Sequence, residues 1–359
     1  MLKLGIIGLP NVGKSTLFNA LTRGHAPAEN YPFTTIEPNV GTVLVPDEIL
    51  NKLAEVFHPS KTIPSHLEFV DIAGLVKGAH QGEGLGNQFL SHIRDVTALV
   101  HMVRCFTSGE VVHVAPDIKP SEDIKVVHTE LMLSDLGLLE KAVPKLKKSN
   151  AKPDQHKAAL LEPLIAPLAA GTMLRQVPMD EETRQAAFDL GLLTQRKELY
   201  VANLGDRSDP RQDERVREVE AMARAEGVEC VRVYARLEAE MNDLSAEDRE
   251  LFTSDLGLSE PTTARVIHAG FKLLRLISFY TTENNILQSW PLYAGRLAPE
   301  AAGEIHSDMQ KGFISADIVA ARDLIRTGSL VNARSHGCLR QEGKHYEIRD
   351  GDVCRFHFA

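Results

Sequence analysis

The stretch G-L-P-N-V-G-K-S-T at residues 8–16 constrains this chain more than any other part of its sequence. It fits the phosphate-binding pattern G-x-x-x-x-G-K-[ST], with a strand-like run before it and a helix-like run after it. Gly8 and Gly13 allow the backbone to turn several N–H groups toward one anion, and the following helix adds its positive end. Lys14 supplies a point charge for the outer phosphates, and the Ser15 hydroxyl is a ligand for Mg²⁺. We predict that this stretch holds a nucleotide through Asn11, Val12, Gly13, Lys14, Ser15 and Thr16.

Length and composition indicate a globular protein of about two or three domains. The chain has 359 residues, of which 43% are apolar and 25% charged. No apolar run approaches the ~20 residues that span a bilayer, and we expect no signal peptide and no membrane partner. The four cysteines lack metal-ligand spacing and are interpreted as reduced thiols of a cytoplasmic protein. The net charge of −9 argues against a basic nucleic-acid coat, so no DNA partner is expected, although a local basic patch stays open.

A loop rich in Pro, Asn and Thr follows at residues 24–39. A loop that senses a γ-phosphate needs a threonine whose hydroxyl binds Mg²⁺ and whose backbone N–H reaches the phosphate. Thr35, which lies between the phosphate loop and the next strand-like run, is our candidate for both tasks.

The strand-like run at residues 67–71 ends in Asp71, and Gly74 follows closely. A carboxylate at a strand end can hold Mg²⁺ through a water, and a glycine can offer its backbone N–H to the γ-phosphate. The next residue is Leu75, where Ras-type GTPases place a glutamine that orients the attacking water. Leucine has no hydrogen-bonding group, so another residue must orient that water.

The middle of the chain is predicted to be helical. From Ser121 the apolar positions recur at spacings of three, four or seven residues, which indicates one long helix. A second helical stretch, interrupted by Pro163 and Pro167, returns after a turn-like segment. We predict an antiparallel helical hairpin inserted at residues 119–197, with a lysine-rich tip near residues 147–154. The tip is either a solvated end or a contact for RNA phosphates.

Two further strand-like runs, at residues 199–202 and 230–234, end where the base-reading loops of a P-loop GTPase would lie. The predicted base-contacting residues are Asn203, Leu204, Asp206 and Ala235. The apolar run at residues 98–103 indicates a strand buried on both faces, as in a parallel sheet. Residues 277–359 combine short strand patterns with one helical stretch and carry no catalytic constellation. They are interpreted as a small α+β binding domain.

These motifs together resemble one family, the Obg-like ATPases of the YchF type, over essentially the whole chain. The stretches that carry the resemblance are G-L-P-N-V-G-K-S-T at 8–16, Y-P-F-T-T-I-E-P-N at 31–39, D-I-A-G-L-V-K-G at 71–78, G-E-G-L-G-N-Q-F at 82–89, V-R-C-F at 103–106, I-H at 305–306, K-G-F-I at 311–314, E-G-K at 342–344 and D-G-D-V at 350–353.

The resemblance implies an α/β fold: a P-loop NTPase domain with a mostly parallel sheet at residues 1–276. Within it lies a coiled-coil insertion at residues 119–197, and an α+β TGS domain, which is ubiquitin-like, follows at residues 277–359. It further implies slow, Mg²⁺-dependent hydrolysis of ATP and a regulatory role around the ribosome or in the stress response. A hydrophobic residue in place of the water-orienting glutamine, here Leu75, is a feature of this family.

The sequence departs from the family pattern at two places. The base-reading motif usually ends in glutamate, whereas this chain has Asp206, and Leu204 replaces the lysine that packs over guanine. Asp206 keeps a carboxylate that could accept from guanine, so we predict that ATP is preferred and GTP is tolerated. Near the start of the C-terminal domain, residues 280–290 have lost the family's Gly, Glu and Arg, which weakens the expectation of ribosome or ribosomal RNA contact.

The predicted mechanism holds Mg²⁺ through Ser15 and Thr35, with Asp71 acting through a water. Lys14, Thr35 and the backbone of Gly74 stabilise the transferring phosphoryl group. Asn11 either braces the loop or helps to coordinate K⁺. His113 is the first candidate for orienting the attacking water, and His80 is the second. The alternatives left open are a nucleotide-gated switch without turnover and a GTP-preferring, translation-associated or RNA-binding GTPase.

Overall fold

The computed structural model of the protein describes residues 2–23, 40–72, 96–107, 118–205, 209–255 and 258–359. The chain divides into two compact units. The N-terminal unit comprises Met1–Thr42 and Glu68–Ala269, and the C-terminal unit comprises Val43–Leu67 and Gly270–Ala359. No helix among these described residues is long and apolar enough to cross a membrane.

The strands are, in chain order, β1 (Lys3–Ile7), β2 (Val40–Leu44), β3 (Lys61–Ile63), β4 (His66–Asp71), β5 (Ala98–Arg104), β6 (Lys197–Asn203), β7 (Glu229–Val233), β8 (Leu276–Glu283), β9 (Ile286–Tyr293), β10 (Phe313–Ala320), β11 (Arg340–Glu342) and β12 (Asp352–Phe358). The described α-helices are α1 (Lys14–Arg23), α2 (Glu48–Phe57), α3 (Pro120–Lys147), α4 (Lys152–Leu161), α5 (Ile165–Ala169), α6 (Glu181–Leu190), α7 (Gln212–Glu226), α8 (Ala235–Met241), α9 (Ala246–Asp255), α10 (Thr262–Leu273), α11 (Ala298–Ile305), α12 (Ser307–Lys311), α13 (Ala321–Thr327) and α14 (Leu330–Ser335). Within the described ranges, 3₁₀ turns lie at Glu162–Leu164 and Leu174–Gln176.

The N-terminal unit is built on a sheet with the strand order β2-β4-β1-β5-β6-β7. The pairs β1–β4, β1–β5, β5–β6 and β6–β7 are all parallel. All seven residues of β5 are buried, as a strand covered on both faces requires. Because these strands are parallel, the carboxyl ends of β1, β4, β5, β6 and β7 lie at one edge of the sheet. This α/β arrangement confirms the predicted fold class of the unit.

The long helix predicted from the apolar spacing is present as α3, which has 28 residues. Its C-terminal half packs with α4 and α5 in a cluster that includes Leu139, Val143, Leu161, Leu164 and Leu168. Of the two prolines predicted to interrupt the second helix, Pro163 does so, because it lies in the 3₁₀ turn Glu162–Leu164 that separates α4 from α5. Pro167 lies within α5 and does not break it. That these helices form a coiled-coil hairpin stays a prediction.

The C-terminal unit has its own six-stranded sheet, with the order β11-β10-β12-β8-β9-β3. Strands β8 and β9 form a hairpin whose two turn residues, Asn284 and Asn285, have φ values of 52° and 60°. Asparagine tolerates this left-handed conformation, and two such residues in succession are typical of a tight hairpin turn.

One segment lies where the sequence did not suggest. The sequence predicts that residues 43–67 belong to the nucleotide domain at 1–276, yet β3 pairs in parallel with β9, and Leu50 and Leu53 of α2 pack with Tyr280 in the C-terminal core. Asp47 caps α2 at Leu50 N and also accepts the Tyr280 hydroxyl at 2.9 Å. This pairing joins residues more than two hundred positions apart, so the local pattern of apolar residues does not reveal it.

Candidate functional site

The phosphate loop connects β1 to α1 at the carboxyl edge of the sheet. Its glycines are required by their positions: φ is +146° at Gly8 and +99° at Gly13. A Cβ at Gly8 would lie 2.4 Å from the Met102 carbonyl oxygen, and one at Gly13 would lie 2.5 Å from Asn203 Nδ2. Any side chain at either place would therefore push the loop away from the neighbouring strands, β5 and β6.

Lys14 is the first residue of α1, and its side chain turns back onto the phosphate loop. Its ammonium donates to the Leu9 carbonyl oxygen at 2.8 Å and to the Gly8 carbonyl oxygen at 3.2 Å. The residue is 8% exposed. Burial lowers the pKa of Lys14 to about 8, and the nearby Asp71 carboxylate opposes this shift. A buried ammonium with only neutral carbonyls as direct partners is well suited to an anion, because a phosphate would supply the missing negative charge.

Ser15 and Asp71 lie together, as the magnesium prediction requires. The Ser15 hydroxyl donates to Asp71 Oδ2 at 2.6 Å, although 56 residues separate the two in sequence. The other oxygen, Asp71 Oδ1, is buried and has no hydrogen-bond partner in the described part of the chain. A hydroxyl beside a carboxylate with one buried, unpaired oxygen fits the oxygen ligands that Mg²⁺ prefers. These two residues are thus suited to hold the ion, Ser15 directly and Asp71 through a water.

Replacing Ser15 by alanine is expected to raise the Mg²⁺ concentration needed for half-maximal ATP hydrolysis by about tenfold or more, because one oxygen ligand is lost. The measurement is a Mg²⁺ titration of phosphate release at saturating ATP. Asn19→Ala, on the exposed face of the same helix, is the matched control. An unchanged Mg²⁺ requirement in the Ser15 variant would contradict this assignment.

Asn203 joins the phosphate loop to the end of β7. Its side-chain Nδ2 donates to the Val12 carbonyl oxygen at 2.8 Å, and its Oδ1 accepts from Ala235 N at 3.2 Å. The residue is 4% exposed. An amide has two donor hydrogens and an acceptor oxygen with two lone pairs, so Asn203 keeps capacity for a further partner. The sequence suggested only a base contact for this residue, and the bracing role becomes visible only in the fold.

Changing Asn203 to aspartate is expected to weaken ATP binding by about tenfold or more. The new carboxylate places an acceptor where Nδ2 now donates, so Val12 O would face a second oxygen in a buried place. Isothermal titration calorimetry with Mg·ATP measures the loss. Asn51→Asp, an exposed position on α2, controls for the added charge, and equal affinities of the two variants would contradict the bracing role.

The remaining predicted residues in the described chain differ in their surroundings. Asn11 is exposed with φ +61°, whereas Val12 is 1% exposed and Thr16 is half-buried. Leu204 is 4% exposed and packs in a core cluster with Val216 and Val219 of α7. Its contact with a base stays a prediction, as do the ligand contacts of the other residues.

Four of the predicted site residues, Thr35, Gly74, Asp206 and His113, lie outside the described residues, as do Leu75 and His80. Their roles in metal binding, base reading and water orientation stay predictions.

A polar cluster that the sequence did not suggest ties the loop after β5 to the loop after β6. Asp209 Oδ2 accepts from the backbone N and the hydroxyl of Thr107, at 3.0 and 2.8 Å, and from Arg215 NH1 at 2.7 Å. Although burial alone would raise the pKa of Asp209, these hydrogen bonds lower it to about 2. The carboxylate therefore stays ionised and holds the two loops together.

A second cluster of potential ligands is formed by side chains of β5, β6 and α3. Donor atoms of His101, His128 and Glu198 lie within 4.8 Å of one another, which is a spacing found in metal sites. The Arg175 guanidinium, however, forms an ion pair with Glu198 and lies 3.2 Å from His128 Nε2. A cation from the protein already neutralises the carboxylate, so we interpret the cluster as a buried ion-pair network.

Comparison with known families agrees with this geometry. A family model described as 50S ribosome-binding GTPase matches residues 3–134, and the model of the C-terminal region of YchF GTPases, described as a protein of unknown function, matches residues 276–359. The sheet order, the phosphate loop and the Ser15–Asp71 pair together define a P-loop protein with the GTPase fold.

Full-length relatives specify the family. The chain is 44% identical to the ribosome-binding ATPase YchF of Escherichia coli O157:H7 and 43% identical to that of Bacillus subtilis, in both cases over 99% of each chain. A solved structure of the Schizosaccharomyces pombe YchF GTPase superposes with a TM-score of 0.87 at 31% identity, covering 99% of this chain and 97% of that one. This chain belongs to the YchF family.

Proposed function

We propose that this chain binds ATP at residues 8–16, hydrolyses it slowly with Mg²⁺, and acts as a nucleotide-dependent switch that associates with the ribosome in the cytoplasm. The observation that carries the catalytic part is the arrangement of Lys14, Ser15 and Asp71 around one loop. The ribosome part is supported by the relatives, which are named ribosome-binding ATPases.

The chain's own residues supply most of the chemistry. The loop amides and the Lys14 ammonium bind the phosphates and stabilise the charge that develops during transfer. Ser15 and Thr35 would hold Mg²⁺, and Asp71 would act on it through a water. The ion, when bound, would supply positive charge to neutralise the phosphates. The backbone of Gly74 donates to the γ-phosphate, His113 orients the attacking water, and Asn11 is the residue that would contact K⁺ if a monovalent cation takes part.

Asn203 alone does not set the choice of base. Adenine and guanine both present N7 as an acceptor, so the spare donor of Asn203 serves either base. Two residues bear on discrimination. Asp206 can accept from guanine but finds no such donor on adenine, which allows GTP to bind. Leu204 replaces the lysine that would pack over guanine, which removes a contact that would favour GTP. We propose that ATP is preferred and GTP is tolerated.

A nucleotide competition assay tests this function. ATP, GTP and their diphosphates compete for a fluorescent ATP analogue, and phosphate release is measured with and without ribosomes. We expect ATP to bind at least as tightly as GTP, and ribosomes to co-sediment with the protein. Tenfold tighter binding of GTP would contradict the base assignment, and no co-sedimentation in any nucleotide state would contradict the ribosome part.

A switch without turnover is the second candidate, because Leu75 lacks the group that would orient a water. It predicts tight ATP binding with no phosphate release, even with ribosomes present.

The family resemblance also supports the domain organisation proposed here: a coiled-coil hairpin at residues 119–197 and a TGS domain formed mainly by residues 277–359.

A further inference from the structure

A cavity of about 580 Å³ in the C-terminal unit is lined by four arginines. Arg322 and Arg326 lie one turn apart on α13, Arg340 begins β11, and Arg349 lies in the turn before β12. Three separate segments thus bring guanidinium groups to one cavity. This volume is in the range of about 300–1,000 Å³ that is usual for small-molecule sites.

The carboxylates around this cavity have partners in the fold. Asp323 forms an ion pair with Arg326 at 2.9 Å, and Asp350 accepts from Ser278 N at 2.8 Å. Asp352 is 3% exposed and accepts from the Tyr346 hydroxyl and from Arg349 N, both at 2.9 Å. Burial raises the pKa of Asp352.

Two of the arginines keep their donors available. Among the described residues, the guanidinium groups of Arg322 and Arg349 make no hydrogen bond and no ion pair, and both residues are exposed. Arg340 lies 3.7 Å from Glu342 and above the Tyr346 ring. The cavity therefore offers more cationic donors than the fold itself uses.

The rest of the lining leaves space for an organic group. Gly337 and Gly351 have φ values of +69° and +86°, and a Cβ at either position would meet no atom within 4 Å. Ile49, Ala320 and Ala321 add an apolar part to the wall. A ligand with an anionic end and a less polar body fits such a surface.

We propose that this cavity is a second anion site, which binds the phosphate groups of a small, multiply charged phosphate ester of about nucleotide size. Guanidinium groups match phosphate oxygens with paired hydrogen bonds, and several of them together favour a ligand with at least two negative charges. The site goes beyond the proposed function, because it does not involve the loop at residues 8–16.

A small ligand fits the charge distribution better than a nucleic-acid strand. The C-terminal unit contains thirteen Lys and Arg residues and thirteen Asp and Glu residues, so it is neutral, and the −9 charge of the chain belongs to the N-terminal unit. A polyanion is attracted by an extended positive field, whereas a small anion needs only the local arginines.

The test uses the full chain with Lys14→Ala, which removes binding at the phosphate loop, and inorganic pyrophosphate as the probe in Mg²⁺-free buffer. Isothermal titration calorimetry is expected to show one pyrophosphate site. Adding Arg322→Ala and Arg349→Ala should weaken it by about tenfold or more, because charge-assisted hydrogen bonds are lost. Arg334→Ala, an exposed arginine of α14 that does not line the cavity, is the matched control and should leave the affinity unchanged.

A second pair, Arg322→Gln and Arg349→Gln, retains side-chain bulk and checks that any loss is not due to unfolding. Absence of pyrophosphate binding to the Lys14→Ala protein would overturn the proposal. Equal pyrophosphate affinities of that protein with and without the paired arginine substitutions would overturn it as well. So would binding of a single-stranded RNA 12-mer in place of pyrophosphate, which would assign the arginines to a polynucleotide. ATP hydrolysis by the arginine pair with Lys14 intact reports on the proposed function separately, and we expect it to be unchanged.

Discussion

Replacing Lys14 by alanine is expected to abolish detectable ATP hydrolysis, with a loss of about 10²–10³-fold or more, as when one preorganised donor is removed from a charged transition state. The ammonium is buried and donates to the carbonyl oxygens of Gly8 and Leu9, so it is already positioned at the loop before a nucleotide arrives. Burial lowers the pKa of Lys14 to about 8, and a bound phosphate would favour its charged form. Phosphate release and calorimetric titration with Mg·ATP measure the effect.

Two variants make this prediction specific. Lys125→Ala removes an exposed lysine of α3 and should leave hydrolysis unchanged. Lys14→Arg keeps the charge, but Lys14 is only 8% exposed, so the larger guanidinium should restore little activity. Full activity of Lys14→Ala would remove the basis of the proposed site.

The second large effect is expected at Glu198, the centre of the buried network in the sheet. Its carboxylate is fully buried and accepts from His101 Nδ1 at 2.8 Å, and it contacts His128 Nε2 at 3.0 Å as well as Arg175. Burial alone would raise the pKa of Glu198, but the charges of Arg175 and His128 and the hydrogen bonds from both histidines hold it well below its usual value. The network connects β5 and β6 to α3 and to the 3₁₀ turn that carries Arg175.

Glu198→Ala is therefore expected to lower the free energy of unfolding by about 3–5 kcal/mol, because the buried Arg175 guanidinium loses its closest counter-charge and keeps, among the residues described, only the Glu226 carboxylate at 3.5 Å. Glu198→Gln keeps the shape and one acceptor, and it should lose less. Urea denaturation followed by circular dichroism measures both, with Glu214→Gln on the exposed face of α7 as the control. A loss below 1 kcal/mol for the alanine variant would contradict the role assigned to Glu198.

The same network predicts how stability depends on pH. Burial lowers the pKa of His101 below its usual 6.5, so the unfolded chain binds the proton more readily, and stability falls as the pH drops below about 6.5. Glu198 has a depressed pKa in the folded state, so its contribution is present above about 4.5 and is lost at lower pH. Both titrations therefore lower the free energy of unfolding as the pH falls. Equal unfolding free energies at pH 7 and pH 5 would contradict this account, and His101→Gln should flatten the upper part of the profile.

Much of the candidate site could be predicted because it is local in sequence. The glycines, the lysine and the serine of residues 8–16 lie on one turn between a strand and a helix, and their spacing alone predicts an anion site. Asp71 could be added because it ends an apolar strand, and parallel strands end at a common edge. The contact between Ser15 and Asp71 agrees with that reasoning.

The sequence by itself determined the phosphate loop, the parallel strands and the long helix α3, because each depends on glycine positions or on the period of apolar residues within a short window. Only the tertiary structure decided that Asn203 braces Val12 across 191 positions, that Glu198 on β6 neutralises Arg175 of the 3₁₀ turn Leu174–Gln176, and that β3 pairs with β9. These contacts join residues far apart in the chain. They follow from which strands become neighbours, and that depends on burying all the apolar faces at once, which no local pattern specifies.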